Sequence, residues 1–241
     1  MIDIHSHILY GIDDGAKDIG SSLDLIDNQP GVTAIIATPH YSKPDHFLSS
    51  PETNQELLKE LQKETETTLK LGNELFIDAS LDELLETGDV LTLAGSRYVL
   101  VEFPMGSYRD VYDEWLYNIT ISGYKLVIAH PERYAYVQEN FEFCQRWVKE
   151  GYLLQSNADS LKDKRKRIVI DKLLKNGWLY FLASDAHNSF RNPKLKEAYE
   201  DISKSYSAEI ADRLLEKNPR AVIEDGVIDE MPRAKKRFWL F

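Results

Sequence analysis

Ile2-Asp3-Ile4-His5-Ser6-His7-Ile8 opens the chain as an apolar, β-branched run with two histidines two positions apart. A strand repeats every two residues, so His5 and His7 share one face. Six further runs have the same strand character: residues 33–39, 74–78, 97–103, 125–130, 153–157 and 178–184. Helical patterns lie between most of them, over residues 51–71, 110–122, 138–150, 166–176 and 193–217. The first of these places Leu57, Leu58, Leu61 and Leu69 among Glu and Lys after the start signal Ser50-Pro51-Glu52. Gly72, Gly123, Gly151 and Gly177 stand where helices should stop. Strand–helix alternation predicts parallel strands, and the near-continuous apolar runs predict strands covered on both faces. No Pro/Gly/Ser-rich linker divides the 241 residues, which suits one α/β domain of barrel type.

The strand ends carry the chemistry. His40 closes Ala-Ile-Ile-Ala-Thr-Pro-His, His130 closes Lys-Leu-Val-Ile-Ala-His, and Asp185-Ala186-His187 follows Tyr-Phe-Leu-Ala-Ser. Asp13-Asp14-Gly15 comes soon after the first strand, as either a carboxylate site or a turn. Glu74 opens an apolar run, and Glu102 sits between Val-Leu-Val and Phe103, where a carboxylate needs a partner or a metal. If the strands form one barrel, their carboxyl ends converge. Imidazole and carboxylate without thiolate suit Mn, Fe or Zn, and five His, two Asp and two Glu exceed what one ion needs. Two or three divalent ions are therefore expected. His46 lies in an evident loop and is expected to bind none.

Charge and cysteine exclude other chemistries. The net charge of -11 repels a nucleic-acid backbone and argues against a nuclease. No apolar run is long enough to span a membrane, no basic leader precedes the first strand, and a single cysteine forbids an internal disulfide. A cytoplasmic protein is expected. Cys144 is followed six residues later by Glu150 rather than by Arg, so a cysteine-based phosphatase is set aside. The basic-aromatic stretch from Arg233 through Lys235, Lys236 and Arg237 to Phe238-Trp239-Leu240-Phe241 reads as a tail. It either docks on its own barrel or meets a partner or membrane surface.

Together these motifs resemble the PHP (polymerase and histidinol phosphatase) superfamily. They run through Ile2–His7, Gly11-Ile12-Asp13-Asp14-Gly15, Ala37-Thr38-Pro39-His40, Gly72-Asn73-Glu74 and Val101-Glu102-Phe103. Ala129-His130-Pro131-Glu132-Arg133-Tyr134 and Ser184-Asp185-Ala186-His187-Asn188 complete the set. Within the superfamily the match is to the manganese-dependent protein-tyrosine phosphatases of Gram-positive capsule and exopolysaccharide loci. The resemblance implies a distorted seven-stranded (β/α)7 TIM-like barrel, the PHP fold, over residues 1–225, with residues 226–241 as a tail. It implies metal ligation by His5, His7, Asp14, His40, Glu74, Glu102, His130, Asp185 and His187. It implies that Arg133 and Arg191 hold the phosphate in catalysis, although the His187–Arg191 spacing is about one residue short of the family pattern. Mn2+ is the first choice of ion, with Fe or Zn as alternatives. The implied substrate is the phosphorylated tyrosine-rich tail of a bacterial tyrosine kinase.

The expected reaction is in-line attack on phosphorus by a metal-bridged hydroxide, with the arginines contacting the equatorial oxygens. Tyr10, Tyr41 and Tyr134 follow ligand positions and could flank the substrate ring, and Arg109 is a third candidate for phosphate. No single general acid stands out. A small-molecule phosphatase, such as one for histidinol phosphate, and a catalytically silent kinase-binding regulator are the alternatives. The oligomeric state is not legible.

Overall fold

The structure, a computed structural model, describes residues 1–188 and 191–236. Its strands form two all-parallel sheets. One takes the order β1 (Ile2–Ser6), β2 (Ala34–Ala37), β4 (Thr68–Leu71). The other runs β3 (His40–Tyr41), β5 (Glu74–Phe76), β6 (Tyr98–Glu102), β7 (Lys125–Ala129), β8 (Leu153–Asn157), β9 (Leu179–Ala183). The nine segments make seven staves. β2 passes through Thr38-Pro39 into β3, and β4 passes through Gly72-Asn73 into β5. Across these breaks Gly72 N–H donates to Ala37 O at 2.9 Å and Glu74 N–H to Pro39 O at 3.2 Å. The ring closes where Asp185 N–H donates to His5 O at 2.8 Å and His7 N–H to Ala186 O at 2.9 Å. A distorted seven-stave barrel is the result, and every stave points its carboxyl end the same way.

The strands are buried on both faces, as continuous apolar runs require: every residue of β1, β2, β6 and β9 is buried. Helices α4 (Val111–Ile121) and α7 (Lys164–Asn176) form close to their expected limits. Gly177 ends α7 with φ 71°, and Gly123 and Gly151 also have positive φ where the chain turns back to a strand.

Three helical expectations need correction. The pattern over 51–71 is helical only through α2 (Pro51–Glu64). Thr65, Thr67 and Thr68 favour extended backbone, and Gln62 fixes the turn. Its Nε2 donates to Thr65 O and Thr67 O, while its Oε1 accepts from Leu69 N–H at 2.8 Å. Leu69 thus belongs to β4, and Gly72 follows a strand. A Cβ on Gly72 would meet Leu93 at 3.0 Å, so its role there is close packing. The 138–150 pattern divides at Asn140-Phe141 into α5 (Ala135–Glu139) and α6 (Glu142–Lys149), with Asn140 Oδ1 accepting from Glu142 N–H. The 193–217 pattern breaks at Tyr206, and Ser207 caps a new helix, α9 (Ala208–Asp212), after α8 (Leu195–Ser205). A π turn over Arg213–Lys217 leads into α10 (Asn218–Ile223). Helices α1 (Ile19–Asp27) and α3 (Leu81–Thr87) complete the set.

The segment after α10 packs on the barrel end opposite the strand carboxyl ends. Met231 and Ala234 are buried, Ala234 N–H donates to Leu174 O at 2.9 Å, and Lys236 Nζ reaches Asp171 at 2.6 Å. Arg237 and Phe238-Trp239-Leu240-Phe241 lie outside the described residues.

Candidate metal centre

All nine expected ligands come from the carboxyl ends of the staves or the loops that follow, and they converge. Donor atoms of eight of them form three overlapping groups: His5, His7, Glu74 and Asp185; His40, Glu74 and Glu102; His7, Asp14, His40 and His187. In the first, His5 Nε2 lies 3.1 Å from Glu74 Oε2 and 3.4 Å from Asp185 Oδ1, and His7 Nε2 lies 3.2 and 3.5 Å from the same two oxygens. In the second, His40 Nδ1 is 3.2 Å from both Glu74 Oε2 and Glu102 Oε1. His130 Nε2 joins this group, 2.8 Å from Glu74 Oε1 and 3.8 Å from Glu102 Oε2. In the third, Asp14 Oδ1 is 3.4 Å from His40 Nε2 and 3.3 Å from His187 Nε2. Glu74 belongs to two groups and sits at the middle of the cluster.

A second layer of contacts aims the ligands. His7 Nδ1 faces Asp13 Oδ2 at 2.8 Å, His5 Nδ1 faces Gln155 Oε1 at 3.0 Å, and His187 Nδ1 faces the Asp185 carbonyl at 2.9 Å. Each partner accepts the Nδ1 proton, which leaves a bare Nε2 lone pair toward the cluster. Asp13 also accepts His40 N–H at 3.0 Å and Gly15 N–H at 2.8 Å, tying two staves together. Asn157 donates to Asp185 Oδ2 at 2.5 Å, and its Oδ1 accepts from Gln155 Nε2 at 3.0 Å. Sequence reading missed Asp13, Gln155 and Asn157. Asp13 stood beside Asp14 in the motif already singled out; Gln155 and Asn157 had only their alternation on β8 to mark them.

The donor set fits metal ions. Glu74 Oε2, Asp185 Oδ1, His40 Nδ1 and His187 Nε2 are buried and make no hydrogen bond, although all four face the cluster. Such atoms are costly unless a cation satisfies them. Without cations the carboxylates recruit protons instead. Burial pulls the His5 pKa down, but the charges of Glu74 and Asp185 outweigh it and hold it at about 9. The same contest, with Glu74 and Glu102 winning over burial, holds His40 at about 10. Burial and the Arg133 charge take His130 down to about 4. Burial and the Glu74 charge push Glu102 up.

Arg133 and Arg191 come together on one atom. Arg133 NH1 is 2.7 Å and Arg191 NH2 2.6 Å from Asp185 Oδ2. Both line a cleft of about 480 Å³ with Asp14, His40, Glu74 and Glu102. Phe47, Phe76, Pro104 and Met105 supply its apolar walls. Two candidates are corrected. Tyr134 is fully buried, its hydroxyl accepts Phe103 N–H at 3.0 Å, and its ring stacks on Tyr136, so it supports the barrel and offers no face to a substrate. Arg109 is exposed over the Tyr112 ring and does not line the cleft. Cys144 is buried, its thiol pKa pushed up by burial, as a packing residue should be. His46 is exposed and belongs to none of the metal-competent groups among the described residues.

A barrel with a cluster of imidazole and carboxylate groups at its carboxyl face is the frame of a metal-dependent hydrolase. Residues 1–224 match the family model for capsular polysaccharide synthesis, CpsB/CapC, and the chain belongs to that family. It is 35% identical over 246 residues to the tyrosine-protein phosphatase CpsB of Streptococcus pneumoniae, covering 95% of this chain and 100% of that protein. It is 31% identical over 252 residues to the tyrosine-protein phosphatase YwqE of Bacillus subtilis, covering 100% of this chain and 99% of that one. A crystal structure from work on YwqE and CpsB, described as unique metal-dependent tyrosine phosphatases, superposes with a TM-score of 0.88. That match has 29% identity and covers 98% of this chain and 100% of the other.

Proposed function

We propose that the chain is a metal-dependent tyrosine-protein phosphatase acting in capsular or exopolysaccharide synthesis. The observation that carries this reading is the shared carboxylate of Asp185. One oxygen faces His5 and His7 in the cluster, and the other is held by both cleft arginines. Metal-binding and phosphate-binding groups are thereby fixed against each other across a single side chain.

His5, His7, Glu74 and Asp185 would hold one ion; Glu74, Glu102 and His130 a second; Asp14, His40 and His187 a third. Mn2+ is the proposed ion, since nitrogen and carboxylate donors without thiolate suit it. Bound divalent cations supply Lewis acidity, which makes water a nucleophile near neutral pH and offsets charge on the phosphoryl oxygens. Arg133 and Arg191 keep further N–H donors beyond those spent on Asp185, and these point a phosphoryl group toward the cluster. Phe47, which stacks on His40 at 5.8 Å, and the neighbouring Phe76 and Met105 give an aryl ring an apolar wall. A phenol leaves at a lower pKa than an alkyl alcohol, so the missing general acid matters less for phosphotyrosine.

The substrate we propose is the phosphorylated tyrosine-rich tail of a bacterial tyrosine kinase, in the cytoplasm. The family's place in capsule synthesis and the names of the relatives support it. No helix among the described residues is long and apolar enough to cross a membrane. Residues 1–225 are proposed as the phosphatase domain and 226–241 as its tail. The test compares kcat/KM of the Mn2+-loaded enzyme for a phosphotyrosine peptide, a phosphoserine peptide and histidinol phosphate. Preference for the first is expected, and preference for histidinol phosphate would overturn the proposal.

A further inference from the structure

The three ligand groups differ in access. His5, His7, Glu74 and Asp185 are all buried, as are Glu74 and Glu102 of the second group. In the third group the Asp14 side chain is 53% exposed, while His40 and His187 are 14% and 1% exposed. Asp14 also stands between two cavities. On one side lies the arginine-lined cleft already described. On the other lies a separate cavity of about 440 Å³, walled by Asp14 and His187 at its inner end and by Asp18, Asp24, Lys17 and Asn192 farther out. Leaving the ligands aside, Asp18 and Asp24 against Lys17 make this second mouth acidic, whereas Arg133 and Arg191 against Asp45 make the first basic. A buried nitrogen points to what it admits: His187 Nε2 makes no hydrogen bond, faces the exposed Asp14 Oδ1 at 3.3 Å, and belongs to a residue that walls this cavity.

We infer that Asp14 marks the one exchangeable metal position, and that the acid-lined cavity beside it is the route by which divalent cations enter and leave. The inference rests on the metal-centre reading above. Two physical arguments support it. A ligand that reaches solvent is the first that water can replace, so an ion held by Asp14 should dissociate before ions enclosed by buried groups. Fixed carboxylates at a narrow mouth concentrate cations and speed their arrival, whereas the guanidinium groups of Arg133 and Arg191 repel them from the other cleft. Phosphate and metal would then use different doors to one centre, and an ion could be exchanged while the arginine cleft is occupied.

The test follows ions rather than turnover. Protein loaded with Mn2+ is desalted and mixed with excess chelator, and the Mn2+ remaining per chain is read against time by elemental analysis or electron paramagnetic resonance. Two phases are expected, a fast one of about one ion per chain and a slow one for the rest. Asp14→Asn should remove the fast phase and leave the slow one. Reloading should be slowed about tenfold at low salt in the Asp18→Asn, Asp24→Asn double variant, and the difference should vanish at high salt. Asn still caps α1 at position 18. Lys17→Glu should speed reloading and gives an independent check of sign. Release of every ion in one phase, a fast phase that survives Asp14→Asn, or wild-type reloading rates in both rim variants would overturn the inference. Wild-type chain that retains no ion after loading would instead remove the metal centre itself.

Discussion

Arg133 and Arg191, 58 positions apart in sequence, converge on the same oxygen of Asp185, at 2.7 and 2.6 Å. The pair therefore does two jobs. It presents guanidinium donors to the cleft and fixes the carboxylate whose other oxygen faces the cluster. Replacing Arg133 by Ala leaves Asp185 Oδ2 with Arg191 and Asn157, so the metal set should survive. The phosphoryl group loses a positioned cation, and kcat/KM on a phosphotyrosine peptide should fall about 10²-fold or more. Steady-state kinetics beside metal analysis checks both parts. Unchanged kinetics would take Arg133 out of the site.

Asp13 makes a different kind of contribution. It accepts from His7 and from the His40 backbone, and it is itself 0% exposed at the side chain. Asp13→Asn keeps the shape but replaces one of two accepting oxygens by an NH2 and removes the charge, so His7, His40 N–H and Gly15 N–H can no longer all be accepted. Metal affinity should weaken by about 10- to 100-fold, as for other partners of metal-bound histidines. Competition for Mn2+ with a calibrated chelator measures this directly. An affinity equal to wild type would mean that His7 needs no second contact.

These two residues show what could and could not be read in the chain. Arg133 was legible because it follows His130 in a motif, and His5, His7, Glu102 and Asp185 because charge or imidazole interrupts an apolar run. Strand ends announce themselves, since only a metal or a partner justifies such residues there. Asp13 was half visible, because sequence alone does not say which of two adjacent carboxylates faces the ions. Tyr134 misled for the converse reason: following a ligand in sequence does not place a side chain in the cavity, and this one turns into the aromatic core. Helix limits failed at Thr65–Thr68, where Leu69 continued the helical spacing but β-branched neighbours and Gln62 had already ended the helix.

Metal removal should reverse the pH dependence of stability. In the metal-free protein His5 and His40 have pKa values of about 9 and about 10, raised above the unfolded value of about 6.5. A raised histidine pKa stabilises the fold fully below the unfolded pKa and loses that contribution as pH rises through the folded one. His130, lowered to about 4, opposes folding as pH falls below about 6.5. The stripped protein should thus be most stable near neutral pH and weaken toward pH 10. Mn2+ competes with the protons on the same nitrogens, so the gain in Tm on adding it should grow from pH 6 to pH 9. Thermal unfolding with chelator and with Mn2+ across that range tests this. A metal-induced gain that shrinks with rising pH would show that these histidines are not ligands.

Cys144 offers the control on mechanism. It is buried on α6 and belongs to none of the metal-competent groups among the described residues. Cys144→Ser should leave kcat and the metal content unchanged, with only a modest loss of Tm from the buried hydroxyl. Abolished turnover in folded, metal-loaded Cys144→Ser would force a thiol mechanism on this fold.

Gly15 joins backbone geometry to the metal site. A Cβ at this position would lie 2.6 Å from His7 Cβ, and Gly15 N–H donates to Asp13 Oδ1 at 2.8 Å. The atoms in the way belong to the His7 backbone and the root of its side chain, so no rotamer change relieves the clash. Gly15→Ala must push the Asp13–Gly15 loop away from β1, and that movement drags Asp13 from His7 and Asp14 from His187. Overpacking of this kind costs about 1–3 kcal/mol. The variant should therefore fold with a lower Tm, bind fewer ions per chain and lose most activity. Gly106→Ala is the matched control, because a Cβ there meets nothing within 4 Å. Thermal melts and metal analysis of the two variants decide the point: equal metal content in both would show that the loop yields without disturbing the ligands.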